Sequence, residues 1–457
     1  MYLYHQEKNI TRKLDNKKQG VKTIGMEEFI NMGQTMTQKI LAKASGKTRA
    51  EVGDIVIPKI GMLSFPDGNA WIDYFNENNL KVWDPNRVIF SFDHIFQIDY
   101  LPHSAKEHPK IRDFAKRQGI PPENIYDFGR NGISHQIPVE QGWALPGTVS
   151  LGLDTQSAAM GAANCFSMAL MHRVEPPLLT GDVWLQVPEC VNIKLHGKLP
   201  KGITGKDISY RLMKDLSGCV TGKVIEFSGP GVSNLAIDVR MAIANVSVQL
   251  GALTMIFPPD QVLLDYLDGR AREPFKVVEP DVDAEYVETY DLDLSTIEHL
   301  VAGPNNIEII RPLSELEGLE ITAANIGSCS SGRVTDLALA AEVLRGNKVH
   351  PNVRLIITPI SAATMREATE QGIINDLVEA GATITTPGCG ACYVGNLSPL
   401  KLGDGERCIS TSVETVPGRM GSMTAEILLG NSAVAAASAI EGRITDPMKY
   451  LIQKQEV

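Results

Sequence analysis

The sequence has little positive charge and no long apolar segment. Its 457 residues carry 43 Lys and Arg against 54 Asp and Glu, a formal net charge of −11. This balance argues against a nucleic-acid-binding surface, which needs clustered Lys and Arg to neutralise phosphates. No apolar run reaches the roughly 18 residues of a membrane-spanning helix. Residues 1–20 are polar and basic, without the hydrophobic segment of a signal peptide. We therefore expect a cytoplasmic protein that binds neither nucleic acid nor membrane.

Cysteine is scarce, and its number is odd. Seven cysteines are spread widely along the chain: Cys165, Cys190, Cys219, Cys329, Cys389, Cys392 and Cys408. An odd count without a secretion signal indicates a reducing compartment rather than a disulfide framework. Cys165 and Cys219 stand among small and apolar residues, and we expect both to be buried.

Apolar runs typical of strands alternate with helical stretches along most of the chain. Examples are NRVIFSFDH followed by SAKEHPKIRDFAKRQG, and NVRLIITPIS followed by AATMREATEQGIINDLVEAG. This alternation predicts an α/β fold with parallel sheets covered by helices. The chain is too long for one core. Helical patterning begins near Met36, the pattern changes near 189, and an acidic linker precedes 292. We predict an N-terminal extension, 1–35, and three α/β domains, 36–188, 189–291 and 292–457.

Three cysteines lie in glycine-rich segments suited to a metal centre. Cys389 and Cys392 form a C-x-x-C pair in TTPGCGACYVGN, and Cys329 lies in NIGSCSSGRVTDL. Gly and Ser keep bulk away from the sulfurs and let backbone N–H groups approach an anion. Three thiolates can hold a cubane iron–sulfur cluster and leave one iron open as a Lewis acid. Structural zinc is one alternative. A redox C-x-x-C, favoured by Pro387, is another. Cys408 is either a further ligand or a core thiol.

The order of these segments resembles one known family. IGSCSSGR, TTPGCGAC and ERCISTS…PGR follow one another, and Cys329 and Cys389 are 60 residues apart. SFDHIF, GISHQIPVEQG, LPGTV, EFSGPGV, RMAIANVSVQLGA and FPPD occur in register with them. Together they resemble the aconitase superfamily, and specifically the large subunits of 3-isopropylmalate dehydratase and its relatives. The resemblance extends from about Met36 to the C-terminus.

The resemblance implies three α/β/α domains around a central [4Fe-4S] cluster, in an enzyme that reversibly dehydrates a 2-hydroxy acid of the 3-isopropylmalate or 2,3-dimethylmalate type. It implies that Cys329, Cys389 and Cys392 are the cluster ligands. The implied catalytic residues are Asp93, His94, His135 and Asp154. The residues matching positions that contact substrate or neighbour the cluster are Gln156, Asn245, Gln249 and Arg419.

The sequence departs from the family pattern in the predicted substrate pocket. Gln156 and Gln249 replace a His and a Glu, which keeps hydrogen-bonding capacity but removes titration. Val413 and Glu414 replace an Asn and an Arg, and Ser331 replaces an Asn. Exchange of an Arg for Glu414 changes the local charge by two units and should repel a substrate carboxylate there. We therefore expect a hydroxy-acid other than isopropylmalate or citrate.

Two further expectations follow from the resemblance. The small swivelling domain of the superfamily, which supplies a proton-abstracting Ser, has no counterpart in this sequence, so we expect a separate small subunit. The alternative to a hydro-lyase is a non-catalytic iron or redox sensor based on the cluster. The retained Asp93, His94, His135 and Asp154 favour catalysis, and the acidic balance disfavours RNA binding by a cluster-free form.

Overall fold

The computed structural model describes residues 33–68, 71–94, 104–171, 173–392 and 400–452. Most of the predicted extension, 1–35, lies outside the described residues. The first helix of the described residues begins at Met36, where the sequence predicted helical patterning to start. Thr35 caps it: the Thr35 side chain accepts a hydrogen bond from the backbone N–H of Gln38, and the Gln38 side chain accepts one from the backbone N–H of Thr35. This reciprocal pair satisfies two backbone donors that a helix leaves free at its N-terminus.

The N-terminal part of the chain forms a five-stranded parallel sheet. The strand order is β4-β3-β2-β5-β6, and β1 pairs with β7 in a separate antiparallel ribbon. Strands β2, β3 and β5 are buried at every position, as expected when both faces of a sheet are covered. The elements are α1 (Met36–Ala44), β1 (Ile55–Val56), β2 (Met62–Phe65), α2 (Trp71–Glu77), β3 (Val88–Ser91), α3 (Ser104–Gln118), β4 (Ile125–Tyr126), α4 (Ile137–Glu140), β5 (Val149–Gly152), β6 (Phe166–Ala169), α5 (Glu175–Thr180) and β7 (Leu185–Gln186).

A four-stranded parallel sheet follows, with the order β10-β9-β8-β11. Its elements are β8 (Cys190–His196), α6 (Gly205–Leu216), β9 (Val224–Ser228), α7 (Ile237–Ala244), β10 (Thr254–Ile256), α8 (Gln261–Leu267) and β11 (Glu288–Asp293). Cys219 lies in the turn after α6 and is exposed, so the prediction that it is buried was wrong. The helix that precedes it ends at Leu216, so the turn projects Cys219 into solvent although apolar residues surround it in sequence.

The C-terminal part of the chain forms a seven-stranded sheet with the order β13-β12-β18-β17-β14-β15-β16. Strand β12 runs antiparallel to both neighbours, and the pairs from β18 to β16 are parallel. Its elements are β12 (Leu300–Ala302), β13 (Ile310–Pro312), β14 (Ala323–Gly327), α9 (Ser328–Ser331), α10 (Val334–Leu344), β15 (Arg354–Thr358), α11 (Ala362–Glu370), α12 (Ile373–Ala380), β16 (Thr383–Ile384), β17 (Arg407–Ser410), β18 (Glu426–Leu429), α13 (Ser432–Glu441) and α14 (Met448–Ile452).

One apolar core joins the three sheets. It contains Met62 of β2, Val191 of β8 and Leu429 of β18 together with the apolar faces of the covering helices. The α/β class with parallel sheets is confirmed, while the domain limits given above stay predictions. Within the ranges that the structure describes, no helix has both the length and the apolar character needed to cross a bilayer.

Candidate active site

Three buried thiols lie at the carboxyl edge of the C-terminal sheet. Cys329 lies on α9, directly after β14, and Cys389 and Cys392 lie in the loop after β16. Strands β14, β15 and β16 run parallel, so their carboxyl ends share one edge of the sheet. The three residues are 3%, 8% and 2% exposed in chain order, and none forms a disulfide. The structure therefore brings together the three cysteines that the sequence singled out.

The segment around Cys329 and the loop with Cys389 and Cys392, together called the thiol loops, both pack against Thr358 at the end of β15. A Cβ on Gly327, which has φ +126°, would lie 2.0 Å from the Thr358 carbonyl oxygen. A Cβ on Gly390, which has φ +59°, would lie 2.4 Å from Thr358 Oγ1. Both positions combine a left-handed backbone with a close approach, and only glycine meets the two demands together. The glycines next to the cysteines thus set how closely the two loops approach each other.

Each sulfur has one polar neighbour from another part of the chain. Asn245 Oδ1 accepts from Cys329 Sγ at 3.6 Å, and His94 Nε2 lies 3.7 Å from Cys389 Sγ. Arg419 Nη2 donates to Cys392 Sγ at 3.7 Å. These contacts connect the thiols to all three sheets, because the loop with His94 follows β3 and Asn245 follows α7.

The electrostatic environment disfavours three separate thiolates. Burial raises the pKa of the Cys329 thiol well above its ordinary value, and the neighbouring sulfurs of Cys392 and Cys389 raise it further. Burial also raises the pKa of Cys389, to about 12, against the opposing effect of His94. A cation shared by the sulfurs reverses this preference, because a coordinated thiol is deprotonated. The donor set is therefore that of a soft-metal site rather than of exposed nucleophiles.

Carboxylates and imidazoles form a continuous chain beside the thiols. Asp93 Oδ1 lies 2.7 Å from His94 Nδ1, and Asp154 Oδ2 lies 3.4 Å from His94 Nε2. The other oxygen of Asp154 lies 3.0 Å from Nδ1 of His135. His135 Nε2 in turn lies 3.4 Å from the amide nitrogen of Asn245. The parallel first sheet explains this meeting, because Asp93 follows β3 and Asp154 follows β5 at the same edge.

Burial and neighbouring charges shift the pKa values of these carboxylates and imidazoles in opposite directions. Burial lowers the pKa of His94, but Asp93 and the Cys389 sulfur raise it by more, leaving it well above the ordinary value. Burial raises the pKa of Asp154, but His135 and His94 lower it by more, so this carboxylate stays ionised. Burial raises the pKa of the Asp93 carboxyl group above its ordinary value. A protonated His94 therefore directs its Nδ1–H to Asp93 and its Nε2–H towards Asp154 and the Cys389 sulfur.

Sequence reasoning missed the residue that fixes this pair. Asp67 follows β2, and its Oδ1 accepts from the backbone N–H groups of Asp93, at 3.2 Å, and His94, at 2.7 Å. Asp67 Oδ2 lies 3.2 Å from Nε2 of His108 on α3. Asp67, Asp93 and Asp154 each follow one of three neighbouring parallel strands, and that recurrence is the sequence signal that could have identified Asp67.

The predicted substrate-binding residues divide into two groups. Gln249 donates through Nε2 to Glu414 Oε1 at 3.1 Å, so the two departures from the family pattern are hydrogen-bonded to each other. Glu414 also raises the pKa of Arg419, after the larger contribution of Cys392. Gln156 lies in the 3₁₀ turn capped by Asp154, whose Oδ1 accepts from the Gln156 backbone N–H at 2.8 Å.

The remaining cysteine near the motif region is a core thiol. Cys408 lies in the middle of β17, fully buried, with its sulfur 3.4 Å from the Ile409 carbonyl oxygen. Burial raises its pKa to about 12. Of the two roles that the sequence left open for Cys408, this position favours the structural one.

Fold and site together define an α/β enzyme with a three-thiol centre beside a carboxylate–imidazole chain. The family model of the aconitase family (aconitate hydratase) matches residues 73–317 and 310–442. The chain belongs to the aconitase family, as a divergent relative of the 3-isopropylmalate dehydratase large subunits, and is a hydro-lyase.

Curated relatives match along almost the whole chain. The 3-isopropylmalate dehydratase large subunit 1 of Methanopyrus kandleri is 39% identical over 92% of this chain and 100% of its own length. The large subunit of the enzyme from Aquifex aeolicus is 37% identical over 91% of this chain and 97% of its own length. Among solved structures, holo-form aconitase X from Thermococcus kodakaraensis covers 78% of this chain and 83% of its own, at 13% identity and a TM-score of 0.46.

Proposed function

We propose that the chain is the large subunit of a [4Fe-4S] hydro-lyase that reversibly dehydrates a 2-hydroxy acid in the cytoplasm. The observation that carries the proposal is the meeting of three buried, unpaired thiols with the Asp93–His94 and Asp154–His135 pairs. Cys329, Cys389 and Cys392 would hold the cluster. The donor set fits, because three thiolates leave one iron without a protein ligand. All seven cysteines of the chain are free, which agrees with a reducing compartment.

The bound cluster would supply Lewis-acid activation of the substrate hydroxyl. The residues of the chain handle the proton and the substrate acid group. His94, held by Asp93, presents its Nε2 near the thiols and can protonate a departing hydroxyl group. Asp154 lies between His94 and His135, so its two oxygens can orient both rings. Arg419, with Nη2 at the Cys392 sulfur, is placed to bind a substrate carboxylate with its guanidinium.

We infer that the substrate differs from isopropylmalate and citrate near Glu414. The Glu414 carboxylate accepts a hydrogen bond from Gln249 and lies close enough to Arg419 to stabilise the guanidinium. It therefore reduces the positive charge available to a substrate acid group. A substrate with one carboxylate fewer, or with a neutral or basic group there, fits this arrangement. Hydroxy-acids with a changed carboxylate pattern are therefore the first candidates, ahead of the 2,3-dimethylmalate type, which keeps both carboxylates of isopropylmalate.

We also propose a separate small subunit. The relatives that match over nearly their whole length are named large subunits. The proton on the carbon next to the hydroxyl needs a base, and the partner is expected to supply it. The test is co-expression with a small subunit of the 3-isopropylmalate dehydratase type, followed by anaerobic assay of isopropylmalate, dimethylmalate, citrate and homocitrate. We expect dehydration only with both chains and poor turnover of citrate. Efficient citrate turnover, or full activity of the large chain alone, would contradict these proposals.

A further inference from the structure

Lys206 is a fully buried ammonium group behind the thiol loops. It lies in the first turn of α6 and is 2% exposed. Its Nζ donates to Ser330 Oγ at 2.7 Å and to the Ser412 carbonyl oxygen at 2.6 Å. Ser330 follows Cys329, and Ser412 precedes the segment that carries Val413 and Glu414. The ammonium therefore links the first thiol loop to the loop that leads to Arg419.

Lys206 lacks the carboxylate partner that a buried cation normally has. Among the described residues, no carboxylate oxygen forms an ion pair with it within 4.0 Å. Arg240, the other deeply buried cation of the second sheet region, shows the usual arrangement: its Nη1 donates to Asp260 Oδ1 at 3.0 Å. Burial lowers the pKa of Lys206 to about 8, and the groups that oppose this most strongly are the sulfurs of Cys329 and Cys392, ahead of Asp207 and Asp336.

We infer that Lys206 is the counter-charge of the metal centre: its ammonium balances the thiolates of Cys329 and Cys392 when they bind metal. This inference rests on the proposed role of the cysteines as ligands. The reasoning is electrostatic. A buried charge is expensive unless an opposite charge accompanies it. Metal binding requires thiolates, and a nearby cation favours them.

The inference separates the metal-free protein from the loaded protein. Without bound metal the cysteines are not held as thiolates, so the buried ammonium has no fixed anionic partner and its burial lowers the stability of the fold. Removing it should leave that form equally stable or make it more stable. In the loaded protein the ammonium compensates negative charge, so removing it should weaken metal retention. A lysine that only cross-links loops would stabilise both forms to the same degree.

The experiment compares Lys206→Met, Lys206→Gln and Lys206→Arg with the wild type. Lys201→Met is the matched control, because Lys201 is partly exposed and pairs with Glu342 at 2.9 Å, away from the thiols. Each protein is reconstituted anaerobically with iron and sulfide. Thermal midpoints are measured for the metal-free and loaded forms, and iron loss to a chelator is followed over time.

We expect the two neutral variants to lose iron about tenfold faster than the wild type, the scale of the effect of one neighbouring charge. Their metal-free midpoints should be unchanged or higher, and Lys206→Arg and Lys201→Met should retain iron like the wild type. Equal iron retention in the neutral variants overturns the inference. So does a loss of stability in the metal-free form as large as in the loaded form, including failure to fold. A wild type that takes up no iron contradicts the proposed function itself.

Discussion

Replacing Gly390 by Ala should release the metal centre without unfolding the protein. The new Cβ would lie 2.4 Å from Thr358 Oγ1, 2.8 Å from its Cβ and 2.9 Å from its Cγ2. The left-handed φ of +59° adds strain of roughly 1–2 kcal/mol for a residue with a side chain. Relieving the overlap costs about 1–3 kcal/mol more. The cheapest relief is a shift of the loop that carries Cys389 and Cys392, because Thr358 is fully buried at the end of β15, which is paired on both sides.

Gly405→Ala is the matched control. Gly405 has φ +71°, and an added Cβ would meet nothing within 4 Å, so this variant carries the backbone strain without the overlap. Iron content after anaerobic reconstitution and the thermal midpoint are measured for both variants. We expect Gly390→Ala to lose iron and Gly405→Ala to keep it. Adding Thr358→Ala removes two of the three overlapping atoms and should restore part of the binding. Equal iron content in the two glycine variants would refute the reasoning.

Three further predictions concern charge. Asp154→Asn should lower the dehydration rate by about 10²–10⁴, the usual contribution of acid–base groups, with iron content unchanged; an equal loss of iron would contradict a catalytic role. Burial raises the pKa of Asp336 to about 7, well above its unfolded value. The contribution of Asp336 to the free energy of unfolding is therefore fully present below about pH 4 and is lost as the pH rises through about 7. The total loss is up to about 4 kcal/mol. Asp336→Asn should flatten this decline in thermal midpoints between about pH 4 and 7. Arg240→Met leaves Asp260 without its cation and should lower the free energy of unfolding by about 3–5 kcal/mol, measured by urea unfolding; a change below about 1 kcal/mol would contradict it.

The sequence predicted the fold class and which three of the seven thiols lie close together. Alternation of strands and helices is a local pattern, so the parallel sheets could be inferred from it. The helical stretch AATMREATEQGIINDLVEAG is split in the structure, because Gly372 adopts φ +75° between α11 and α12. Periodicity does not reveal such a break, since both halves keep their apolar face.

Contacts between segments that are distant in the chain could not be predicted from the sequence. Asp67 accepts hydrogen bonds from the backbone N–H groups of Asp93 and His94, and because every residue type except proline has such a group, no residue pattern indicates the contact. The partnership of Gln249 with Glu414 joins residues 165 positions apart. Lys206 shows its significance only when its burial and the absence of a nearby carboxylate among the described residues are known. These features depend on how the sheets pack, and a single sequence specifies that packing only through the whole fold.

The most direct test of the account is the iron and acid-labile sulfide content of the anaerobically reconstituted chain. The account predicts roughly four irons and four sulfides per chain, as in a cubane cluster. It also predicts loss of both in Cys329→Ser, Cys389→Ser and Cys392→Ser, and full retention in Cys408→Ser. Zinc or no metal in the protein with all three thiols intact would contradict it, as would a cluster that survives the loss of Cys329.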